Sequence, residues 1–487
     1  MCYSVVRRLC RPMCGVQVFV FAIVCFGLLS CSLVAAAQSI IHPGTTWKDT
    51  SGNVIEAHPS SIIKVGSTYY LIGSNHGSTS FSGINCYSST DLVNWTFVAD
   101  VFPPQPSGLF TTSAVIGRPK VLYNSANNNY VMWMHLDNSS YTLNEVAVAQ
   151  SPTVCGTYTY YNAFQPLGLP SYDIGIYEDM SSTKNPKSAY LLTTYNGNGL
   201  RIELLNPGYR SVNSVVAKLP TLEGTSMTKV GSTYFLFGSH LTGWSSNDNQ
   251  YSTATSLSGP WSAYQDFAPA GTNTFNSQDT WVLPVTGSSG TTYMYMGDRW
   301  DSSNVPSSLA NSTYVWLPLT LSGTSASMAW YNGWNLNVSA GTWAPYNGTA
   351  PVTGSYKPLI SENSGLCLSA VNGTEGTQLE QITCNGGALQ NWKVGAEGSG
   401  YIATNQYTGM VVDDAKWSTS PGGVVDDWAN TGGKNQQWIF RSNGQGYYNI
   451  INAYSGLCLD VTSASTASGA KIDQWTCNGG ANQNWKQ

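Results

Sequence analysis

Apolar residues in this chain come in short runs, broken by Gly, Ser, Thr and Asn, and rarely at helical spacing. Between residues 41 and 320 the runs are paired. The segments 61–71, 120–133, 176–192, 226–237 and 281–296 each read as an apolar strand, a turn rich in Gly, Ser or Asn, and a second strand opened by a tyrosine. The tyrosines are Tyr69, Tyr130, Tyr190, Tyr234 and Tyr293. Such pairs are hairpin signals. The tyrosines stand 44 to 61 residues apart, which fits one four-stranded propeller blade each and predicts five blades. No long amphipathic helix interrupts them. A two-sheet sandwich is the alternative packing. Residues 321–354, where Trp330, Trp334 and Trp343 sit among Asn, Gly and Ser, read as the last blade closing and a linker.

The first 37 residues have a different pattern. Arg7, Arg8 and Arg11 precede a nearly unbroken apolar stretch from Gly15 to Val34, and Ala35, Ala36 and Ala37 follow before Gln38. That is the layout of a secretory signal peptide spanning 1–37; the competing reading is a signal anchor, since the run approaches spanning length. The expectation is a secreted, extracellular chain with no membrane contact after cleavage. Five of the eleven Cys lie in this leader. The remaining six imply disulfides in an oxidising compartment. Sequons at Asn94, Asn138, Asn311, Asn337, Asn347 and Asn372 are consistent with a secreted glycoprotein. Charged residues are only 10% of the chain and the net charge is −5. No basic cluster suggests a nucleic-acid partner. No Cys/His grouping suggests zinc, and no cofactor is expected, with a structural Ca²⁺ left open. Oligomeric state is open; a monomer is the expectation.

Near the C-terminus the chain repeats itself. Gln390-Asn391-Trp392, Gln436-Gln437-Trp438 and Gln483-Asn484-Trp485 recur 46 and 47 residues apart, the mark of stacked supersecondary units sharing a core. The first and last units also share Gly-Leu-Cys-Leu at 365–368 and 456–459 and Cys-Asn-Gly-Gly at 384–387 and 477–480. Repeat symmetry therefore pairs Cys367 with Cys384 and Cys458 with Cys477, which leaves Cys86 with Cys155. The region from about 355 to 487 resembles the ricin-type β-trefoil lectins (carbohydrate-binding module family 13). A sugar site in such a module needs an acceptor for vicinal hydroxyls, an aromatic face and an amide. The second repeat offers Asp413, Trp428 and Asn435; the third offers Asp460, Trp475 and Asn482. The first has Ser369, Ile382 and Leu389 at those offsets and is expected to be silent. The triplet tryptophans are expected in the core, with their glutamines bonding backbone. Galactose-like ligands are what the resemblance implies.

Residues just ahead of the innermost strands of a propeller converge on its central pit. Here those are His58-Pro59, Gly117-Arg118-Pro119, Asp173-Ile174-Gly175, Glu223-Gly224-Thr225 and Gln278-Asp279-Thr280. The bland reading is that the acids cap strands or pair with Arg118. The strings Arg118-Pro119-Lys120-Val121, Ser171-Tyr172-Asp173, Leu222-Glu223-Gly224 and Ser277-Gln278 resemble glycoside hydrolase family 43, and within it the exo-β-1,3-galactanase branch. The resemblance covers most of 41–345. It implies Glu223 as general acid, Asp173 as the carboxylate that tunes and orients it, and Gln278 as the group that positions or activates water in place of a base. His58, Arg118 and Asp279 are the further candidates for substrate contact. Two departures stand out. Most family 43 enzymes carry an aspartate at the first blade, absent at His58-Pro59-Ser60, and the branch's glutamate ahead of Arg-Pro-Lys is Gly117 here.

The chain is therefore expected to be all-β: a signal peptide over 1–37, a five-bladed β-propeller with its closing segment over 38–350, and a β-trefoil over 351–487. The expected function is a secreted, inverting exo-glycosidase on β-1,3-galactan of the arabinogalactan type. The alternatives are a propeller that only binds carbohydrate and another family 43 specificity, arabinofuranosidase or xylosidase.

Overall fold

The computed structural model describes residues 40–77, 79–195, 199–303, 305–331, 333–346, 354–397, 400–442 and 446–487. The leader with its cleavage point, the sequon at Asn347 and the expected boundary near Pro351 lie outside the described residues.

Each predicted hairpin forms and grows into a four-stranded antiparallel sheet. The turn chemistry is direct. Val65-Gly66-Ser67-Thr68 and Val230-Gly231-Ser232-Thr233 each close a hairpin in which the valine pairs with the threonine. Gly66 and Gly231 take φ of +62° and +59°, which suits the primed turns that match strand twist. The first strands of the five sheets are Ser60–Val65, Val115–Asn124, Ile174–Glu178, Glu223–Val230 and Gln278–Thr286. They lie side by side in a ring, the last returning beside the first.

The expected count of five is corrected to six. A three-stranded sheet joins Ile40–Ile41 to Trp334–Asn337 and Thr342–Pro345. It escaped the sequence reading because its first strand is two residues long and its partners lie almost 300 residues away. Trp334 anchors it. The indole is fully buried against Ile41, Tyr314, Trp316 and Leu336 and donates to the Trp316 carbonyl at 2.9 Å.

The C-terminal region forms one multi-stranded assembly over a core of Leu368, Val412 and Leu459 with Trp392, Trp438 and Trp485. All three triplet tryptophans are fully buried. Each donates its indole N–H to a backbone carbonyl, of Leu368, Val412 and Leu459 respectively, at 2.9 to 3.1 Å. Their glutamines bond backbone at both ends of the amide, as Gln390 does with Asn385 and Thr383. Cys86–Cys155, Cys367–Cys384 and Cys458–Cys477 are all bonded, with Cα separations of 5.8, 5.1 and 5.1 Å. The propeller meets the third trefoil repeat, where Thr46 N–H donates to the Cys477 carbonyl at 2.8 Å and the Trp330 ring lies over Gly456.

Because Trp334 is sealed in the core and satisfies its own polar atom, Trp334→Ala is expected to cost about 3–5 kcal/mol. Urea unfolding followed by near-ultraviolet circular dichroism, with the trefoil transition as internal reference, measures it; a loss below about 1 kcal/mol would mean that the sixth sheet does not hold the propeller together.

Candidate active site and lectin sites

The pit is built where regular pairing breaks. Three first strands carry a bulge at their pit end: between Gly117 and Lys120, between Glu223 and Ser226, and between Asp279 and Trp281. Bulges re-aim side chains. Arg118 sits inside the first of them at φ +53°, a left-handed conformation uncommon for a residue with a Cβ. Gly224 sits in the second at φ +59°. A Cβ there would lie 2.7 Å from the Asp279 carbonyl and 2.9 Å from Arg118 Nη2. Only glycine lets Glu223 be presented from that position.

The Arg118 guanidinium is almost fully buried and serves three neighbours. Its Nε meets Asp173 Oδ2 at 2.8 Å, its Nη2 donates to Gln278 Oε1 at 2.6 Å, and its Nη1 donates to the Asp279 carbonyl at 3.2 Å. Trp300 Nε1 also donates to Gln278 Oε1, at 3.0 Å. Guanidinium and indole N–H groups can only donate, so the oxygen end of the Gln278 amide is fixed chemically. Its Nε2 then points the other way, to Glu223 Oε1 at 3.2 Å and Ser239 Oγ at 3.0 Å. The carboxamide has both acceptor positions and both N–H groups engaged by protein, so Oε1 has no lone pair left for a proton from water.

Glu223 is mostly buried. Burial first, and the Asp173 carboxylate second, push its pKa up to about 8, against the pull of Arg118 and the Gln278 N–H. Since Glu223 Oε1 accepts from Gln278, the proton of the neutral acid belongs on Oε2. Asp173 is more open than its partner Arg118, with 27% of its side chain exposed against 4%, and Oδ2 also accepts from Gly224 N–H at 3.1 Å.

The remaining pit candidates lie deeper. His58 is buried; its Nδ1 meets Asp298 Oδ1 at 2.7 Å, its ring stacks on Tyr314 with centroids 3.9 Å apart, and its carbonyl meets His76 Nε2 at 2.7 Å. Asp279 is fully buried. Its carboxylate takes Ser226 Oγ at 2.6 Å, and burial pushes its pKa up to about 7. The bulge turns it from the pit, so its carboxylate has no solvent face for direct contact with a sugar; neither has His58. Lys120, one residue beyond the bulge, spans two first strands through the carbonyls of Ser60 and Thr280 at 2.8 and 2.9 Å. At Gly117 a Cβ would meet nothing within 4 Å.

Trp300, Ser239 and Trp244 were missed by sequence reasoning. Trp300 directly follows the second strand Thr291–Arg299 and Ser239 ends the second strand Thr233–Ser239, so neither precedes a first strand. Trp244, 40% exposed, packs edge-on to Trp300 at 5.3 Å. The sequence signal was Trp300 directly after a strand in a polar loop.

In the trefoil, Asn435 Nδ2 donates to Asp413 Oδ1 at 2.8 Å and Asn482 Nδ2 to Asp460 Oδ2 at 2.7 Å. Trp428 and Trp475 are 41% and 45% exposed and lie on the strands facing those acids. Each acid has a second aspartate directly across the ladder, Asp426 opposite Asp413 and Asp473 opposite Asp460, both overlooked although they recur at the same offset. Burial pushes Asp413 up to about 6 and Asp460 to about 7. In the first repeat Ser369 faces Glu380, and Glu380 is bound by Lys471. Neither an exposed indole nor an acid–amide pair stands there.

Residues 53–284 match the model for glycosyl hydrolases family 43, and residues 355–485 the model for the ricin-type β-trefoil lectin domain. An exo-β-1,3-galactanase from Clostridium thermocellum is 34% identical, with 92% of this chain and 99% of that one covered and a TM-score of 0.61. An exo-β-1,3-galactanase from Phanerochaete chrysosporium, solved with galactose, is 32% identical, with 89% and 99% covered and a TM-score of 0.64. No curated protein matches the chain. With pit, repeats and relatives in agreement, the chain belongs to glycosyl hydrolase family 43 and carries a ricin-type β-trefoil lectin domain.

Proposed function

We propose that the protein is a secreted, monomeric, inverting exo-glycosidase that removes galactose from β-1,3-galactan, with the arabinogalactan type as its polymer, and that the trefoil over 351–487 holds the propeller of 38–350 on that polymer as a galactose-type lectin. The observation that carries this reading is Glu223: a carboxyl protonated near neutral pH, one oxygen held by Gln278, in a chain about one-third identical over nearly the full length of two exo-β-1,3-galactanases. Inverting hydrolysis needs an acid on the leaving oxygen and a water on the opposite face of the ring. In the proposed reaction the bond from C1 to the glycosidic oxygen breaks as Glu223 Oε2 gives that oxygen its proton, water bonds C1 from the opposite face, and the proton this water sheds passes to solvent, since Gln278 Oε1 is already occupied. Asp173, held by Arg118, keeps that proton on Glu223 by repelling a second negative charge. Gln278 is first a positioning residue for the acid; for it to hold the attacking water as well, Nε2 must release Ser239.

A second reading is kept because of Gly117. The space beside it is open, and a pit that lacks one carboxylate could bind sugar without cutting it.

With β-1,3-galactotriose as substrate and product analysis as readout, the wild-type chain is expected to release galactose. Glu223→Gln is expected to lose about 10²–10⁴ in kcat while still binding the trisaccharide. Binding without hydrolysis by the wild type would favour the second reading.

An acid works only when protonated. kcat/KM should therefore hold below pH 8 and fall about tenfold per unit as pH rises above it, rather than falling from the ordinary carboxyl range near 4.5. A high-pH limb centred below 6 would remove Glu223 from the acid role.

Gly117→Glu is expected to raise kcat/KM by about tenfold or more, the worth of a charge-assisted hydrogen bond to substrate. An unchanged value would mean that the open space is not a substrate contact.

A further inference from the structure

The second and third trefoil repeats share a backbone but not a side chain at one exposed corner. Two residues after the sugar-site acid the chain enters a short 3₁₀ turn, Ala415–Trp417 in the second repeat and Thr462–Ala464 in the third. The turns are alike in backbone: Lys416 and Trp417 have φ of +59° and +56°, Ser463 and Ala464 +57° and +49°. Alanine is thus sufficient for the fold, and glycine stands at the same offset in the first repeat, at Gly373. A bulky indole in the left-handed region is unusual, and strain of that kind concentrates at functional positions.

Trp417 is not tucked away. It is 47% exposed and packs edge-on to Tyr454, itself partly exposed, with centroids 4.9 Å apart and planes at 85°. It also adjoins the second-repeat sugar site. A Cβ on Gly433 would lie 2.9 Å from Trp417 Cζ2 and 2.5 Å from Asn435 Oδ1, so the indole and the site's amide border the same point. Asn435 continues to Asp413, Asp413 faces Asp426, and a Cβ on Gly376 would lie 3.8 Å from Asp426 Oδ2 and 2.8 Å from Trp428 Cζ3. The result is a polar row with an exposed indole at each end. The third repeat lacks the second indole: a Cβ on Gly480, the counterpart of Gly433, would meet the amide oxygens of Asn482 and Asn478. At its corner Asn363 Nδ2 donates to the Ala464 carbonyl at 2.9 Å.

We propose that Trp417 and Tyr454 form an additional sugar subsite beside the second-repeat site, so that this repeat takes two or more consecutive rings of a β-linked oligosaccharide while the third repeat takes one. A pyranose offers an apolar C–H face to an indole and hydroxyls to the acid and amide between. With an aromatic at both ends of the row, the second ring has a surface of its own. The proposal rests on the trefoil being a sugar-binding module for galactan, and the test separates the two.

The test uses the full-length chain in a Glu223→Gln background, in which the propeller's contribution is common to every variant. Galactose and β-1,3-galactotriose are titrated calorimetrically against the parent and against Trp417→Ala, Trp417→Phe and Trp428→Ala. Trp417→Ala is expected to weaken the trisaccharide at the trefoil about three- to tenfold, to leave galactose unchanged, and to be partly rescued by phenylalanine. Trp428→Ala is expected to weaken both ligands. Equal loss of both ligands in Trp417→Ala, or no loss of either while Trp428→Ala still matters, overturns the added subsite alone. No effect of Trp428→Ala on either ligand overturns the lectin reading beneath it. Thermal unfolding of each variant checks that the trefoil is intact; with alanine already tolerated at position 464, Trp417→Ala is expected to leave it so.

Discussion

The pit depends on one buried guanidinium. Arg118 gives up its water to meet a carboxylate, an amide oxygen and a backbone carbonyl from two other blades. Burying a cation is costly unless it is paired and its N–H groups are used, and here the desolvation is offset by partners drawn from separate strands. The consequence runs outward. Asp173 is held where it repels a charge on Glu223, and Gln278 is held with its oxygen toward Arg118. The Gln278 N–H groups are thereby left for Glu223 and Ser239. Removing the guanidinium would free the amide to turn over and uncouple both acids at once.

The trefoil solves a different problem. Its three indoles at Trp392, Trp438 and Trp485 make the same bond to the same kind of carbonyl, and every repeat can vary its outer corner without disturbing them. That separation explains how the first repeat can lack the acid, indole and amide that the other two carry around a common core. In the propeller fold and chemistry are not separable in this way. Gly224 serves a bulge and the presentation of Glu223 together, and Lys120 ties Ser60 to Thr280 directly beneath the pit.

What could be read from the sequence follows from the range of the interactions involved. Hairpins are local, so apolar runs around turns rich in Gly, Ser or Asn revealed all five, two of them through the same Val-Gly-Ser-Thr-Tyr string. The repeats fixed two of the disulfide pairs for the same reason. The sixth sheet was not legible, because Ile40–Ile41 carries almost no pattern and finds Trp334–Asn337 only in the folded chain. His58 and Asp279 stood in the right places along the chain, but strand position alone does not say which way a side chain turns when a bulge intervenes. The bulge at Asp279/Trp281 sends the aspartate to Ser226. Trp300 and Ser239 were missed because they approach the pit from the far ends of second strands.

Charge placement explains why Glu223 holds its proton near neutral pH. Only 10% of the chain is charged, yet Arg118, Lys120, Asp173, Glu223, Asp279 and Asp298 gather around one ring. In so dry a setting each carboxyl is governed by its immediate partner. Asp173 has a guanidinium at 2.8 Å and Asp298 an imidazole at 2.7 Å. Asp279 is sealed beneath the surface with a hydroxyl. Glu223 faces the pit with only a neutral amide to donate to it and an anion beside it. The cations have been committed elsewhere, so holding a proton is the arrangement of lowest energy for Glu223. That proton is then available to whatever oxygen a bound sugar brings to Oε2.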